Sequence, residues 1–214
     1  KYKKLYSLLS VEKNFLTTSM NKFDENTYLV TSPREMINAD KNFITKMVDV
    51  EFRFLSDMQR ILDQSSGFNH FNGLIGVLDG EFLLKEGLNT DRICEDTDFS
   101  ERAHLKGKRL KVNLESVIAE QAVTNFEDLF NQKVRWMTGA LEGLKYYTGK
   151  ILGGKIDWKV KFTWIFAMIM PFFSFLFSPF TPIYGARLLT SKNRPESVLE
   201  STLALFLLAW IISI

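Results

Sequence analysis

The sequence feature that most limits the possible folds of this chain is an uncharged run of 25 residues, from Phe162 to Ala186. It contains no Asp, Glu, Lys or Arg, whereas the residues before it carry most of the charge. At about 1.5 Å per residue, a helix of this length could cross a hydrocarbon layer of roughly 30 Å. Pro171, Pro179 and Pro182 interrupt the run, and proline breaks or kinks a helix. The sequence therefore predicts transmembrane or interfacial helices here, with a kinked or partly interfacial segment favoured over one straight span.

The charges around this run predict how the chain is divided and oriented. Lysines at positions 145, 150, 155, 159 and 161 precede the run, and a lysine excess predicts the cytoplasmic side of a membrane. Arg187, Lys192 and Arg194 follow it and reduce this asymmetry. Cys94 is the only cysteine, which excludes an internal disulfide and fits a reducing compartment. We expect an integral membrane protein with a cytosolic domain over 1–150 and a membrane-associated helical region over 151–214.

The two ends and the net charge add further expectations. The chain begins with Lys1, and a second uncharged run, from Ser201 to Ile214, is too short for a full crossing, so we expect a piece of a longer protein. The formal net charge is +2, and no basic face with interleaved aromatic residues is apparent. Nucleic acid is therefore not an expected partner.

Hydrophobic periodicity and turn residues predict an alternation of strands and helices, which indicates an α/β fold. The predicted helices are Lys1–Glu12, Asp40–Leu62 and Asp91–Gly107, the last with a glycine C-cap. The predicted strands are Tyr28–Val30, Leu74–Leu78, Lys108–Asn113 and Ser116–Ala119. Glu51 interrupts the apolar face of the second helix, where a buried or rim carboxylate with a hydrogen-bond partner is favoured over a ligand-facing one.

A further helix is predicted from Thr124 to Leu144. Thr124 and Glu127 have the spacing of a capping box at its start. Apolar residues recur every three or four positions and predict a core-facing side, formed by Phe126, Phe130, Val134, Met137, Leu141 and Leu144. Gln132, Arg135, Trp136 and Gly139 lie on another side of the helix. An amide, a guanidinium and an indole are therefore expected to point together at something other than the core.

Polar residues elsewhere are open to more than one interpretation. The Gly67–Gly73 segment is a turn before a buried strand, and a plain turn is favoured over a ligand-binding loop. His70 and His104 lack further ligands at metal-binding spacing and are expected to be structural or solvated. The Asp96-Thr97-Asp98 segment could bind Mg²⁺ or Mn²⁺, but acidic residues at a helix start are often only favourable partners of the helix dipole.

Several motifs in this order resemble one enzyme family. The chain has Phe71-Asn72-Gly73 before a strand, Glu95-Asp96 opening a helix, Glu120 after a strand, and then Gln132-x-x-Arg135-Trp136. Between about Thr31 and Leu144 it resembles the C-terminal half of the catalytic domain of family 2 glycosyltransferases. It is similar to the membrane-embedded, processive type that includes cellulose, chitin and hyaluronan synthases. Cys94 stands where that family usually has threonine, and Lys133 where arginine is common.

The resemblance implies a fold and a role for each matching residue. The fold would be the C-terminal half of a GT-A domain, and Asp96, in its Glu95-Asp96 pair, would be the general base. Gln132 and Arg135 would contact the donor diphosphate, because a guanidinium binds phosphate oxygens in a bidentate way. The acceptor would be bordered by Trp136 and by the turn Phe71, Asn72 and Gly73. None of these residues is expected to bind a metal.

The same resemblance implies the reaction and its partners. It would be the inverting transfer of a hexose from a nucleotide-diphosphate sugar, such as a UDP-sugar, to a growing polysaccharide at a membrane. Mg²⁺ or Mn²⁺ would assist, with ligands upstream of this chain, and the 214-residue piece alone would be inactive. The alternatives are transfer of a single sugar to a lipid such as ceramide, or a noncatalytic membrane protein that retains the fold.

Overall fold

The computed structural model describes residues 10–177 and confirms a mixed α/β fold with two small sheets. One sheet has the order β1-β6-β3, formed by Ser10–Val11, Ile118–Glu120 and Arg34–Met36. The other has the order β4-β2-β5, formed by Val77–Leu78, Thr27–Thr31 and Arg109–Val112. Strand β2 runs parallel to β5, and β3 runs parallel to β6, so each of these pairs needs a crossover through helices.

Six helices accompany these strands within residues 10–177. They are α1 (Phe15–Met20), α2 (Phe43–Ser65), α3 (Gly80–Glu86), α4 (Glu95–Leu105), α5 (Phe126–Gly153) and α6 (Trp158–Phe177). The predicted strands over 28–30, 108–113 and 116–119 are confirmed within one or two residues, whereas only Val77–Leu78 of the predicted 74–78 strand pairs in a sheet. Most of the predicted helix over 1–12 lies outside the described residues, and the prediction is wrong for its described end, because Ser10–Val11 forms strand β1.

Three hydrophobic clusters hold the described elements together. The first packs α3 and α4 against β2 and β5 through Tyr28, Phe82 and Phe99. A second joins α5 to α6, and its members include Phe68, Tyr147, Ile151, Trp164 and Met168. The third, which includes Met36, Val48, Phe52 and Leu129, packs α2 and α5 beside β3. Full burial of one such large apolar side chain stabilises the fold by about 1.5–3 kcal/mol.

Helix α4 ends as its sequence predicts. Gly107 has a φ of +75°, which glycine adopts without the steric penalty of a Cβ. Its N–H donates to the His104 carbonyl, and the Lys108 N–H donates to the Ala103 carbonyl, both at 3.0 Å. This pair of hydrogen bonds is a Schellman motif, which satisfies carbonyls at the end of the helix.

Helix α5 differs from the prediction at its start and in its orientation. Its N-cap is Asn125, whose side chain accepts from the Asp128 N–H at 2.9 Å, so the predicted capping box at Thr124 is wrong. The predicted core side is also wrong, because Phe126, Phe130, Val134 and Leu141 are exposed and Met137 and Leu144 are only partly buried. The buried side instead carries Leu129, Gly139, Ala140, Gly143, Tyr147 and Ile151.

The physical reason is the close approach of neighbouring elements to the glycines of α5. A Cβ at Gly143 would lie 2.6 Å from Glu101 Oε1 on α4 and 2.8 Å from Met168 Sδ on α6. Larger side chains on this side would keep both helices away. Both sides of α5 are rich in apolar residues, and periodicity alone does not decide which of two such sides is buried.

Helix α6 begins within the charged segment and runs through Pro171 to Phe177. Its first turn contains Lys159 and Lys161. Among residues 10–177 no helix combines the length and the apolar character needed to cross a membrane, so a transmembrane helix is not found there. The rest of the predicted run, with Pro179 and Pro182, lies outside the described residues. The domain boundary at residue 150 stays a prediction, and helix α5 runs through this position.

Candidate functional site

The carboxylate of Asp96 lies against the turn that ends at Gly73. Asp96 is the second residue of α4, and its Oδ1 accepts from the Thr97 N–H at 2.7 Å. Gly73 has a φ of +72°, and a Cβ placed there would lie 2.6 Å from Asp96 Oδ2. The structure therefore brings together the Phe-Asn-Gly turn and the Glu-Asp pair, which are separated by more than twenty residues in the sequence.

Hydrogen bonds from α2 and α4 fix this turn. The Phe71 N–H donates to Ser100 Oγ at 2.8 Å, and that hydroxyl donates to the Asp96 carbonyl at 2.8 Å. Gln59 of α2 donates to the His70 carbonyl at 3.1 Å. Phe71 is buried in the first hydrophobic cluster, so its ring anchors the turn. Asn72 Nδ2 is shielded from solvent and has no hydrogen-bond partner among the described residues.

The surroundings of Asp96 favour the protonated form of its carboxyl group. Burial raises the pKa of its carboxyl above the ordinary value, opposed by the hydrogen bond from Thr97 and by the nearby His70 ring. The exposed Glu95 adds to this rise by charge repulsion. Burial lowers the pKa of His70, and the nearby Asp96 carboxylate opposes that fall. A carboxylate with a raised pKa takes up a proton more readily than an exposed one.

The loop before α4 attaches Asp96 to α5. Cys94 Sγ lies 3.6 Å from the Arg135 carbonyl oxygen. A Cβ at Gly139 would lie 2.7 Å from the Cys94 Cβ, so the two backbones approach closely only because residue 139 is glycine. The Ile93 N–H also donates to Glu142 Oε2 at 3.0 Å. Contacts along α5 therefore determine where the start of α4 lies.

The residues of the Gln-x-x-Arg-Trp motif do not all share one side of α5. Gln132 and Trp136 are partly buried on the protein-facing side, and Trp136 packs on the third hydrophobic cluster. Gln132 Oε1 is shielded from solvent without a hydrogen-bond partner among the described residues. Arg135 is exposed on the neighbouring side, next to Cys94. The expectation that amide, guanidinium and indole point together away from the core is therefore wrong, because Trp136 faces a hydrophobic cluster and Arg135 lies on another side of the helix.

Two ion pairs that the sequence did not predict lie next to the contact between Phe52 and Trp136. Arg34 Nη1 lies 3.4 Å from Glu120 Oε2, and Lys133 Nζ pairs with Glu51 Oε1. Burial raises the pKa of both carboxyls, and each cationic partner opposes that rise. The partnered interpretation of Glu51 is correct, and its interruption of an apolar helix face was the available signal. No comparable signal marked Arg34.

The described residues provide no evident metal site. Asp98 is not a partner for Asp96, because its carboxylate binds Arg102 Nε at 2.9 Å and accepts from the Tyr147 hydroxyl at 2.6 Å. No cluster of three or more His, Cys, Asp or Glu residues able to bind a metal occurs within residues 10–177. His104 is buried, with Nδ1 2.8 Å from the Ser100 carbonyl oxygen, as expected for a structural histidine.

A comparison with known protein families gives one match that covers nearly the whole chain. The family model described as "Glycosyl transferase family group 2" matches residues 10–214. The match includes the turn at 71–73, the start of α4 and the motif on α5. All of the residues proposed for the site therefore lie within the matched range.

Proposed function

The chain belongs to glycosyl transferase family group 2, whose members transfer a sugar from an activated donor to an acceptor, and we propose a more specific reaction for it. The chain transfers a hexose with inversion from a nucleotide-diphosphate sugar, a UDP-sugar, to a growing polysaccharide at a membrane. The observation that carries this proposal is the partly buried Asp96 carboxylate held against the turn at Gly73.

Asp96 acts as the general base. Its carboxylate takes the proton from an acceptor hydroxyl while that oxygen forms a bond to the anomeric carbon of the donor. The bond from this carbon to the diphosphate oxygen breaks on the opposite face, so the configuration inverts and the nucleoside diphosphate leaves. Glu95, which is exposed beside Asp96, contributes to the raised pKa of the base. A raised pKa brings the base closer to the working pH, where general-base catalysis is most effective.

Some residues of the motif on α5 bind the sugar donor, and others border the acceptor. The exposed Arg135 guanidinium suits the donor diphosphate, because it offers a planar pair of donors and stabilises charge on the leaving group. Gln132 contacts the same donor diphosphate. Trp136 borders the acceptor with an indole whose broad apolar face suits a sugar ring. At the turn, Asn72 and Gly73 border the acceptor, and the buried Phe71 anchors them.

Exposed apolar residues support a membrane location. On α5, Phe126, Phe130, Val134 and Leu141 face solvent along one side. On α2, a second exposed side is formed by Phe43, Val50, Phe54 and Ile61. A helix with one apolar side and lysines nearby can lie in the headgroup region of a bilayer. We therefore propose a protein attached to a membrane with its catalytic part in the cytosol, and glycosylation-site tagging that placed Lys150 on the opposite side would contradict this.

A lipid acceptor is the second candidate, favoured by the same exposed apolar sides of α2 and α5, because these would bring the site close to lipid headgroups. We also propose that Mg²⁺ or Mn²⁺ accompanies the donor diphosphate. The described residues do not form a site for it, so its ligands would come from outside residues 10–177.

The test combines a donor panel with one substitution. The full-length protein in membranes is given radiolabelled UDP-sugars, with oligosaccharide or ceramide acceptors, with and without EDTA. We expect transfer from one UDP-sugar, and Asp96→Asn should lower its rate by ~10²- to 10⁴-fold, because the amide cannot take the proton. The exposed Asp91→Asn, in the loop before α4, should keep the parental rate. Retention of more than half of the rate by Asp96→Asn would exclude Asp96 as the base.

A further inference from the structure

Glu51 is a buried carboxylate with one strong partner. It lies on α2 and is 6% exposed, and its Oε1 pairs with Lys133 Nζ on α5. Its other oxygen, Oε2, is buried and has no hydrogen-bond partner among the described residues. The Lys133 side chain is itself only 13% exposed. Glu51 thus joins two helices at the residue that follows Gln132 of the motif.

Lys133 in turn contacts the indole of Trp136. Its Nζ lies 4.4 Å from the centroid of the Trp136 ring, within range of a cation–π interaction. The ring of Phe52 meets the same indole nearly edge to face, with centroids 6.0 Å apart. Phe52 follows Glu51 on α2. Two consecutive residues of α2 therefore restrain Trp136, one by direct packing and the other through Lys133.

We propose that Glu51 is a positioning residue for the acceptor: it holds Lys133 against the Trp136 indole and so fixes the wall on which the acceptor sugar stacks. This rests on the proposed role of Trp136 in the transferase. Arg34 lies 4.0 Å from the Phe52 ring centroid and is paired with Glu120. Without the charge of Glu51, Lys133 would be left as an unpaired, largely buried cation beside Arg34. The ammonium would then turn toward solvent and release the indole.

A purely structural ion pair between α2 and α5 makes different predictions. It would change the melting temperature and the yield, but each folded molecule would bind its acceptor normally. A positioning role changes the KM for the acceptor and leaves the KM for the donor unchanged. Both quantities can be measured in the full-length protein once the donor is known.

The central variants are Glu51→Gln and Lys133→Met, which keep the size of each side chain and remove its charge. We expect the acceptor KM to rise by about 3- to 30-fold in each, as the loss of a cation–π restraint would predict. The acceptor KM of the double variant should be no higher than that of Lys133→Met, because Glu51 acts through Lys133. The matched control is Asp49→Asn, since Asp49 is a mostly buried carboxylate of α2 that pairs with Arg53 of the same helix at 2.8 Å.

A spectroscopic measurement tests the positioning separately from catalysis. The contribution of Trp136 to the emission and near-UV circular dichroism spectra is obtained by subtracting the spectrum of Trp136→Phe. Glu51→Gln and Lys133→Met should both change this contribution, whereas Asp49→Asn should not. If one central variant does not fold, the other decides the outcome.

Two outcomes overturn the inference. In the first, the central variants lower the melting temperature without changing the Trp136 spectrum, which would make the pair merely structural. In the second, the spectrum changes but the acceptor KM does not. If even the parent protein transfers no UDP-sugar, the proposed function itself is wrong. Trp136 then has no acceptor sugar to bind, and the positioning role of Glu51 is wrong as well.

Discussion

Gly73 is the residue on which the position of the Asp96 carboxylate most directly depends. Its φ of +72° is rarely adopted by other residues, and the space that a side chain would need is filled by Asp96 Oδ2. Gly73→Ala should therefore displace the carboxylate and also destabilise the turn by about 1–2 kcal/mol. We expect a large loss of turnover with a small loss of thermal stability, measured in the full-length protein.

Gly80→Ala is the matched control for this substitution. Among the described residues a Cβ at Gly80 would have no neighbour within 4 Å, and the φ of Gly80 is not in the left-handed region. Normal turnover is expected for this control. A Gly73→Ala variant that melts earlier but keeps parental turnover per folded molecule would show that the contact with Asp96 is not needed for catalysis.

At the scale of elements, the contact between α4 and α5 depends on Gly139. A Cβ there would lie 2.7 Å from the Cβ of Cys94, which immediately precedes α4. Gly139→Ala should therefore push the start of α4 away, at a cost of about 1–3 kcal/mol. Because Asp96 lies in the first turn of α4, turnover should fall as well.

Gly149→Ala, on the same helix, serves as the comparison. Within residues 10–177 no atom lies within 4 Å of a Cβ at Gly149, so alanine should stabilise α5 by up to about 1 kcal/mol through helix propensity. Thermal melting of both variants is the measurement. Equal effects of the two alanines would contradict the close approach of α4 and α5.

The contact between α4 and α6 predicts a dependence of stability on pH. Glu101 is buried on α4, and its Oε1 accepts from Trp164 Nε1 of α6 at 2.8 Å. Burial raises the pKa of Glu101 to about 8. Between the ordinary carboxyl pKa and this value, the folded state binds the proton more tightly than the unfolded state does. This residue therefore lowers the free energy of unfolding as the pH rises from about 5 to 8.

Glu101→Gln removes this titration but keeps an oxygen that can accept from Trp164. Its stability relative to the parent should rise between pH 5 and 8, by about 1.4 kcal/mol for each unit of pKa shift that is lost. Denaturant unfolding of both proteins across this range is the measurement. Parallel curves would show that Glu101 titrates normally in the folded protein.

At the scale of the whole molecule, the exposed apolar side of α5 predicts contact with lipid. An environment-sensitive dye at Phe130→Cys should shift to the blue when the protein meets anionic vesicles, because the dye enters the headgroup region. Burial raises the pKa of the Cys94 thiol to about 11, so labelling at pH 7 favours the introduced thiol. The same dye at Leu84→Cys, on the exposed part of α3, should not shift. Identical responses at both positions would exclude α5 as the contact surface.

The α/β alternation, the glycine-capped end of α4 and the order of the motifs along the chain could be predicted from the sequence alone. These features depend on a few neighbouring residues, such as Gly107 in the left-handed region or Asp96 at a helix start. Short-range rules of conformation apply to them directly, and the order of motifs led to a family that the match over 10–214 supports.

The buried side of α5 and the pairing of the charged residues follow only from how separate elements pack together. Apolar residues line both sides of that helix, and only the packing of α4 and α6 against Gly139 and Gly143 selects one of them. The pair of Glu51 with Lys133 joins residues 82 positions apart, and the pair of Arg34 with Glu120 joins residues 86 positions apart. Spacing within a helix or strand carries no information about such contacts, because they form only when separate elements pack together.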